Sequence, residues 1–372
     1  MLASNWTFMK IAIDVSQMCY EGTGVARYVR GLTQELLNSS HDFVLYAGAL
    51  RRHSYFTELS RTKPWDRGTW RILPIPPKLA GYLLDKFPLE LLTGSVGIIH
   101  TSDWVEPFSH KPMVTTVHDL VFQKYPKTVD PLILHAQTKR LERLVHNKTH
   151  IITDSQSTKN DLEKIYSFPS SRISMVYPGI EPSFSPQSPQ EIDRVKTKYN
   201  LPAEFILSVG TQEPRKNLER LTQAVSTLDL PLILVGKHGW GDHLTPGVKG
   251  AHTPGVFALG YVPEEDLPGL YSAATIFAYP SLYEGFGFPV IEAMACGTPV
   301  VTSNISSLPE VAGRAAILVD PSDITSIHNG INQALSSRAK LISLGLAHAQ
   351  KFTWAQTAKQ VLEVYEKITH RN

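Results

Sequence analysis

The chain alternates short apolar runs with longer amphipathic stretches, and it does so in two successive series. In the first series, apolar runs at residues 11–15, 43–47, 96–100, 113–118 and 151–153 predict buried strands, and residues 25–37 predict a helix. A second series begins near residue 204, with strands predicted at 205–209, 232–235, 256–259, 276–279 and 299–302 and a helix at 217–228. Alternating strands and helices are typical of parallel sheets covered on both faces. The sequence therefore predicts two α/β domains.

A stretch rich in proline and serine, residues 181–190, separates the two series and is interpreted as a linker. The predicted N-terminal domain is 1–185, with residues 1–8 as an extension ahead of the first strand. The predicted C-terminal domain is 186–352, and a last helix in 353–372 is expected to pack back on the N-terminal domain. Two such domains leave a cleft between them. Ligands bind beyond the carboxyl ends of parallel strands, so the chemistry is expected in loops facing that cleft.

Composition excludes several classes of protein. Lys and Arg number 36 against 34 Asp and Glu, a net charge of +2, which argues against a nucleic-acid binder. The two cysteines, Cys19 and Cys296, lie too far apart to indicate a disulfide framework, so a reducing compartment is favoured. No signal-peptide core or membrane-spanning run is evident. The expected location is the cytoplasm, with peripheral contact at the inner face of the cytoplasmic membrane as an option. Residues 78–87 fit either such a contact or an ordinary surface helix.

The most informative segment is residues 280–295, where a strand ends, a glycine-containing loop follows, and a helix opens near Pro289. An open helix end presents free N–H groups and positive dipole, which suits a diphosphate. Glu284 lies in the loop and Glu292 in the helix, with seven residues between them, so the two carboxylates could contact separate hydroxyl-bearing parts of one extended ligand. The local pattern equally fits an ordinary strand–turn–helix, with Glu284 as a cap and Glu292 solvated.

This segment resembles the E-x7-E motif of the retaining glycosyltransferases of family 4, which have the GT-B fold. Residues 208–217 resemble the strand-to-helix donor loop of that family, and 235–237 and 259–262 match later strand ends. The resemblance is dense over residues 204–322 and sparser over the N-terminal half. It implies an α/β, GT-B architecture: two Rossmann-like domains with parallel sheets facing a central cleft.

The resemblance also assigns roles in the C-terminal half. It implies that Glu284 contacts the transferred sugar and that Glu292 contacts the ribose of the nucleotide. It further implies that the loop between them contacts the sugar or the phosphates, through Gly285, Phe286, Gly287 and Phe288.

A cation pair, Arg215 and Lys216, precedes the first helix of the second series. Cations there would oppose the helix dipole, so an anionic partner is a better explanation than a solvated helix start. The resemblance implies that both cations, with Gly210 beside them, neutralise the departing diphosphate. Many family members carry arginine directly after the glycine, where this chain has Thr211. The neutralisation is therefore expected to depend more on Arg215 and Lys216.

The N-terminal half contains a glycine loop, Gly22, Thr23 and Gly24, between the first strand and the first helix. A dinucleotide fingerprint would need a third glycine where Arg27 stands, which counts against a nicotinamide enzyme. The resemblance implies that this loop lies near the donor diphosphate and the acceptor.

His118 ends a predicted strand and matches the family histidine near the donor sugar. Its ring could bond to a sugar hydroxyl, or its carbonyl oxygen to the acceptor. Asp103 and Trp104, near another strand end, are further candidates for the acceptor side.

The resemblance implies transfer of a hexose from a nucleotide diphosphate sugar to an acceptor hydroxyl, with retained anomeric configuration. Attack would occur on the front face, the leaving phosphate taking the acceptor proton, with His118, Glu284, Arg215 and Lys216 as catalytic residues. The pattern is most similar to bacterial mannosyltransferases of polysaccharide assembly. It favours GDP-mannose over a UDP-sugar, and a carbohydrate or lipid-linked acceptor. No cofactor and no metal are expected, because no D-x-D motif is suitably placed.

Two alternatives belong to other classes. A nucleotide-sugar epimerase or a phosphorylase on the same fold would share the cleft. A catalytically silent sugar-nucleotide-binding module would keep Glu292 and tolerate the loss of Glu284 and His118.

Overall fold

The computed structural model describes residues 8–48, 50–75, 77–101, 106–237 and 255–370. The chain divides into two compact units. The first comprises the chain up to Leu120, residues 135–179 and the chain from Thr353. The second comprises residues 121–134 and 180–352. The main passage from one unit to the other falls after residue 179, a few residues before the predicted boundary at 185, and residues 121–134 group with the second unit instead of the first.

Within the described residues, the first unit holds a seven-stranded parallel sheet. Its strands are β1 Lys10–Asp14, β2 Asp42–Gly48, β3 Thr69–Leu73, β4 Ile98–Thr101, β5 Met113–Val117, β6 His150–Thr153 and β7 Ile173–Met175. They lie in the order β3-β2-β1-β4-β5-β6-β7. The strand order therefore reverses between β1 and β4, as in doubly wound nucleotide-binding folds.

The second unit repeats this plan with six strands over the same described part of the chain. They are β8 Ile206–Val209, β9 Leu232–Val235, β10 Val256–Gly260, β11 Ile276–Tyr279, β12 Val300–Ser303 and β13 Ala316–Val319. Their order is β10-β9-β8-β11-β12-β13, and all pairs are parallel. Here the order reverses between β8 and β11.

Helices connect the strands, and several start at a residue whose side chain accepts a hydrogen bond from a first-turn N–H. Thr23, Ser155 and Thr353 cap their helices in this way. The helices are α1 Gly24–Leu36, α2 His53–Leu59, α3 Pro77–Lys86, α4 Glu90–Thr93, α5 Val121–Lys124, α6 Pro131–His146, α7 Gln156–Tyr166, α8 Pro189–Lys198, α9 Leu218–Val225, α10 Leu267–Ala273, α11 Phe288–Ala295, α12 Leu308–Ala312, α13 Ile324–Ser336, α14 Arg338–Ala349 and α15 Trp354–Thr369.

The last helix, α15, belongs to the first unit. Its Trp354 lies directly beside Gly31 of α1, where any larger side chain would collide with the indole ring. At the other end of α15, the hydroxyl of Tyr365 bonds to Nδ1 of His100 in β4 at 2.6 Å. The end of the chain thus completes the core of the unit in which the chain begins.

Fully buried side chains fix the strand ends of the second unit. Ile206 in β8 and Ile276 in β11 have no exposed surface, and Leu221 of α9 and Ile327 of α13 pack in the same apolar cluster. Burying one such side chain stabilises the fold by about 1.5–3 kcal/mol. The strands β8 and β11, from which the two loops of the candidate site leave, are therefore anchored in the core of the second unit.

The strands missing from the sequence prediction lie at sheet edges. β3 and β7 form the two edges of the first sheet, and β13 forms one edge of the second. Each is partly exposed. Edge strands do not need side chains that are apolar on both faces, and β3 and β7 accordingly contain polar residues. β13 has the apolar sequence Ala-Ile-Leu-Val and was missed despite it.

Candidate functional site

Two loops of the second unit lie side by side because they leave neighbouring strands. Loop 210–217 follows β8 and loop 280–287 follows β11, on either side of the reversal in strand order. The carbonyl oxygen of Arg215 accepts hydrogen bonds from the Ser281 hydroxyl at 2.9 Å and from the Leu282 N–H at 2.7 Å. Such a reversal point is where open parallel sheets bind ligands.

The carboxylate of Glu284 is the centre of a buried polar cluster. Oε2 accepts a hydrogen bond from Nη1 of Arg215 at 2.7 Å, and Oε1 accepts one from Nζ of Lys216 at 2.6 Å. Oε1 also accepts from the hydroxyls of Ser281 at 2.6 Å and Tyr279 at 2.8 Å. Burial alone would raise the pKa of Glu284, but Arg215 and Lys216 lower it to about 2. The carboxylate is therefore ionised.

Lys216 is almost as deeply buried, with 8% of its surface exposed. It lies with Arg215 in a short 3₁₀ helix, Pro214–Lys216. Besides Glu284, its ammonium donates to the Tyr279 hydroxyl at 2.5 Å. An ammonium has three donors, so among the described residues one donor stays available to a ligand. The alternative in which these cations are a solvated helix start is thus excluded.

Two glycines bring the ends of β8 and β9 together. Gly210 has φ 151° and Gly236 has φ 142°, a backbone conformation that other residues rarely adopt. A Cβ atom on Gly236 would lie 2.0 Å from the carbonyl oxygen of Gly210. Gly210 also lines a narrow crevice together with Gln212, Lys216 and Tyr279.

The loop after Glu284 is held by hydroxyl groups from the segment that follows β12. Ser306 donates to the carbonyl oxygen of Glu284 at 2.8 Å, and Ser307 donates to that of Phe286 at 2.8 Å. Gly287, at φ 104°, is the N-cap of α11. The rings of Phe286 and Phe288 meet edge to face at 5.2 Å; Gly285 and Phe286 are buried, and Phe288 is partly exposed.

Glu292 lies inside α11, with 1% of its surface exposed. It accepts a hydrogen bond from the Tyr271 hydroxyl of α10 at 2.8 Å. The alternative in which Glu284 caps the helix and Glu292 is solvated is therefore wrong. The cap position is occupied by Gly287, and both carboxylates are buried and bonded.

In the first unit, the glycine loop lies exposed after β1. Gly22 has φ 81°, and the Thr23 hydroxyl accepts the N–H of Ala26 at 3.2 Å while donating to the Tyr20 carbonyl at 2.9 Å. The structure thus offers accessible backbone at the start of α1.

His118 directly follows β5, as predicted. Its Nδ1 lies 2.5 Å from Oδ2 of Asp154, whose side chain is 3% exposed. The carbonyl oxygen of His118 accepts a hydrogen bond from the Thr158 hydroxyl at 3.2 Å. The ring of Tyr28 packs edge to face against the imidazole at 4.7 Å.

Several of these partners were missed from the sequence. Asp154 follows β6, and only the pairing of β5 with β6 brings it beside His118. Gln212 is buried, and its side-chain nitrogen has no hydrogen-bond partner among the described residues. Tyr125 donates to the Leu282 carbonyl at 3.5 Å, so a segment from the N-terminal half contacts the Glu284 loop. No local motif signals any of these contacts.

Asp103 and Trp104 lie outside the described residues. Within the part of the chain that the structure describes, no three acidic, histidine or cysteine side chains are grouped closely enough to hold a metal ion.

Comparison with known proteins assigns the family. A sequence profile described as Glycosyltransferase Family 4 matches residues 22–184, and one described as Glycosyl transferases group 1 matches residues 189–345. The O-antigen chain mannosyltransferase B of Escherichia coli is 37% identical over 283 residues, which span 73% of this chain and 74% of that protein. This chain belongs to glycosyltransferase family 4. The predicted family and the predicted class of enzyme, a hexosyltransferase, are confirmed.

Other relatives of this family 4 chain share only part of their length with it. The serotype-specific mannosyltransferase WbdA of Escherichia coli is 34% identical over 59% of this chain and 29% of its own length. Among solved structures, sucrose-phosphate synthase from Thermosynechococcus elongatus superposes with a TM-score of 0.73 at 22% identity, covering 98% of this chain and 100% of that chain. Anabaena HepE in complex with UDP and glucose gives 0.72 at 18% identity, covering 97% and 100%. The predicted GT-B class, with two Rossmann-like parallel-sheet units, is thereby confirmed.

Proposed function

We propose that this glycosyltransferase transfers mannose from GDP-mannose to a hydroxyl of a carbohydrate or lipid-linked acceptor in polysaccharide assembly, with retention of configuration. The names of its Escherichia coli relatives support mannose as the sugar. The observation that carries the proposal is the buried cluster in which Arg215 and Lys216 share the Glu284 carboxylate, at the reversal point of the second sheet.

Arg215 and Lys216 are proposed to bind the diphosphate of the donor. Negative charge grows on the leaving phosphate as the glycosidic bond breaks, and preorganised cations stabilise it most where water is excluded. The guanidinium of Arg215 suits a forked contact to phosphate, and the ammonium of Lys216 supplies a compact charge. Both cations are already fixed by Glu284. The donor would therefore meet a site that needs little reorganisation.

Glu284 is proposed to position the sugar. Its two oxygens accept four hydrogen bonds, and its pKa is lowered to about 2. Such a carboxylate is a weak nucleophile, which argues against the double displacement common among retaining glycosidases. In the proposed route the acceptor oxygen bonds to the anomeric carbon on the face that the phosphate leaves. The bond from that carbon to the phosphate oxygen breaks, and the acceptor proton passes to the departing phosphate.

The remaining residues are proposed to fix the ends of the donor. Glu292, now bonded to Tyr271, would accept the ribose hydroxyls, and the exposed backbone of Gly22, Thr23 and Gly24 would meet the diphosphate or the acceptor. His118 would contact a hydroxyl of the transferred sugar. The buried side-chain amide of Gln212, whose nitrogen has no hydrogen-bond partner among the described residues, is proposed to contact the nucleotide sugar as well.

We further propose that the protein works in the cytoplasm, in contact with the inner face of the membrane. Residues 50–91 carry eight Lys and Arg against four Asp and Glu, an excess of four where the whole chain has +2. Leu79 and Tyr82 of α3 and the following Phe87 and Leu91 expose apolar side chains. Basic and apolar groups together suit an anionic lipid surface. No helix among the described residues has the length and apolarity to cross a membrane.

The membrane contact is tested by co-sedimentation with phosphatidylglycerol vesicles, which should fall in a Leu79→Ser/Phe87→Ser variant. Equal binding by the wild type and the variant would reject this contact.

The decisive experiment for the activity uses GDP-mannose and UDP-glucose labelled in the sugar, with mannose-terminated oligosaccharides as acceptors. Label passing from GDP-mannose to the acceptor, in a product whose new anomeric centre matches the donor by NMR, is the expected result. Transfer from UDP-glucose alone would reject the donor, and an inverted product would reject the mechanism. Conversion of either donor without an acceptor would indicate an epimerase, and release of the sugar to inorganic phosphate a phosphorylase. Donor binding without turnover would indicate a silent module.

A further inference from the structure

The imidazole of His118 is held from several sides within the first unit. Oδ2 of Asp154 lies 2.5 Å from Nδ1, and both side chains are largely buried, at 3% and 12% exposed. Tyr28 packs edge to face on the ring at 4.7 Å, and its own ring packs against Trp354 of α15 at 6.0 Å. Thr158 fixes the backbone carbonyl. The ring therefore has little freedom to turn.

An ionised carboxylate can only accept hydrogen bonds, so the nitrogen facing it must carry a hydrogen. With Nδ1 protonated, the neutral imidazole keeps its lone pair on Nε2. Free neutral histidine in water prefers the opposite tautomer, with the hydrogen on Nε2. The partner of one ring nitrogen thereby decides what the other nitrogen can do.

We propose that Asp154 is a positioning residue that holds His118 in the Nδ1–H tautomer, so that Nε2 accepts a hydrogen bond from a sugar hydroxyl during transfer. This inference rests on the proposed function for its catalytic consequence, but the tautomer itself does not depend on it. The ligand chemistry it specifies is a hydroxyl donor; a carbonyl or an ether oxygen at the same place would be rejected.

The first unit contains a matched control for this pair. His100 in β4 is also buried, and its Nδ1 bonds to the Tyr365 hydroxyl at 2.6 Å while its Nε2 bonds to Thr116 at 2.9 Å. Tyr365→Phe removes one hydrogen bond to a buried imidazole of the same unit, as Asp154→Ala does. Loosening of the unit as a whole would follow from both changes, whereas loss of the His118 tautomer should follow only from the change at Asp154.

The test measures ring-nitrogen shifts of ¹⁵N-histidine-labelled full-length protein by long-range proton–nitrogen NMR, at a pH where the ring is neutral. The signal of His118 is assigned by its loss in His118→Gln. Nδ1–H is expected in the wild type and in Tyr365→Phe, and mainly Nε2–H in Asp154→Ala. An Nε2–H ring in the wild type, or an unchanged Nδ1–H ring in Asp154→Ala, would overturn the proposal.

The second part of the test measures transfer kinetics with the nucleotide sugar that the wild type uses. Removing a carboxylate that orients a metal-ligating histidine typically costs about ten- to a hundredfold, and we expect a loss of that order at His118. Asp154→Ala is expected to lose that much in kcat with a smaller change in the donor KM, and Asp154→Asn, which keeps an acceptor oxygen, to recover part of it. If Asp154→Ala does not fold, both the NMR and the kinetic measurements are made on Asp154→Asn. An equal loss in Tyr365→Phe would overturn the positioning role. A wild type that transfers no sugar would reject the proposed function and leave the tautomer result standing.

Discussion

The two units share a strand order but hold their polar side chains in different ways. In the second unit, the loops after β8 and β11 bury two cations that both bond to one carboxylate. In the first unit, the loop after β1 is exposed backbone, and a single His118–Asp154 pair follows β5 and β6. A buried, charge-dense cluster suits a ligand part that is the same in every turnover, such as a sugar diphosphate. Exposed backbone suits a ligand part that differs between relatives.

The largest loss of activity is expected from Lys216→Ala, which removes one cation of the buried cluster in the second unit. Loss of one preorganised charge at the leaving group is expected to lower kcat by about 10²–10³. Folding should suffer far less, because Glu284 keeps Arg215, Ser281 and Tyr279 as donors. Turnover and the midpoint of urea unfolding measure the two effects. Full turnover in the variant would refute the phosphate assignment, and an unfolded variant would show that the cluster is structural.

Two tyrosines of the second unit allow the roles of its two carboxylates, Glu284 and Glu292, to be tested separately. Tyr279→Phe removes one hydrogen bond to Glu284, and Tyr271→Phe removes one to Glu292. A lost hydrogen bond to a charged group corresponds to about tenfold. We expect the first change to lower kcat, because Glu284 positions the sugar, and the second to raise the donor KM, because Glu292 meets the ribose. Identical changes in kcat and donor KM for the two variants would contradict the assignment of Glu284 to the sugar and Glu292 to the ribose.

Acid stability tests whether the cluster is ionised as described. The pKa of Glu284 is about 2 in the fold, below its ordinary value of 4.5, so its stabilising contribution is complete above pH 4.5 and is lost as pH falls toward 2. Glu284→Gln lacks this contribution. Urea unfolding of both proteins should therefore differ most near neutral pH and converge over that acid range. A difference that stays constant with pH would contradict the ionised cluster.

The smallest expected effect is that of a chelator. Since Arg215 and Lys216 are proposed to supply the positive charge that a metal supplies elsewhere, EDTA should leave the transfer rate unchanged. Restoration of a lost activity by Mg²⁺ or Mn²⁺, after EDTA had abolished it, would show that these cations are insufficient.

The central strands were predictable because they are buried on both faces. Ile206 and Ile276 lie in such continuous apolar runs, and both strands appear where the sequence places them. Thr69–Leu73 was missed, because an edge strand alternates apolar with polar side chains. Local turn chemistry also placed α11 correctly, since Gly287 and Pro289 mark its start.

The candidate site was predictable only where its residues form a local motif. Arg215, Lys216 and Glu284 stand in motifs, and the structure brings the three together. Asp154 and Tyr279 stand in none. Asp154 reaches His118, and Tyr279 reaches Lys216, because parallel strands end at one edge of a sheet. That proximity follows from strand order rather than from sequence spacing.

The most direct test of the account measures the affinity for GDP by isothermal titration, comparing Lys216→Ala with His118→Ala. If the second unit holds the diphosphate, Lys216→Ala should weaken Kd by about tenfold or more, because it removes a charged partner of the phosphate. His118→Ala should leave Kd for GDP nearly unchanged while lowering the rate of sugar transfer. Unchanged GDP affinity in Lys216→Ala, with weakened affinity in His118→Ala, would contradict the assignment of the donor to the second unit.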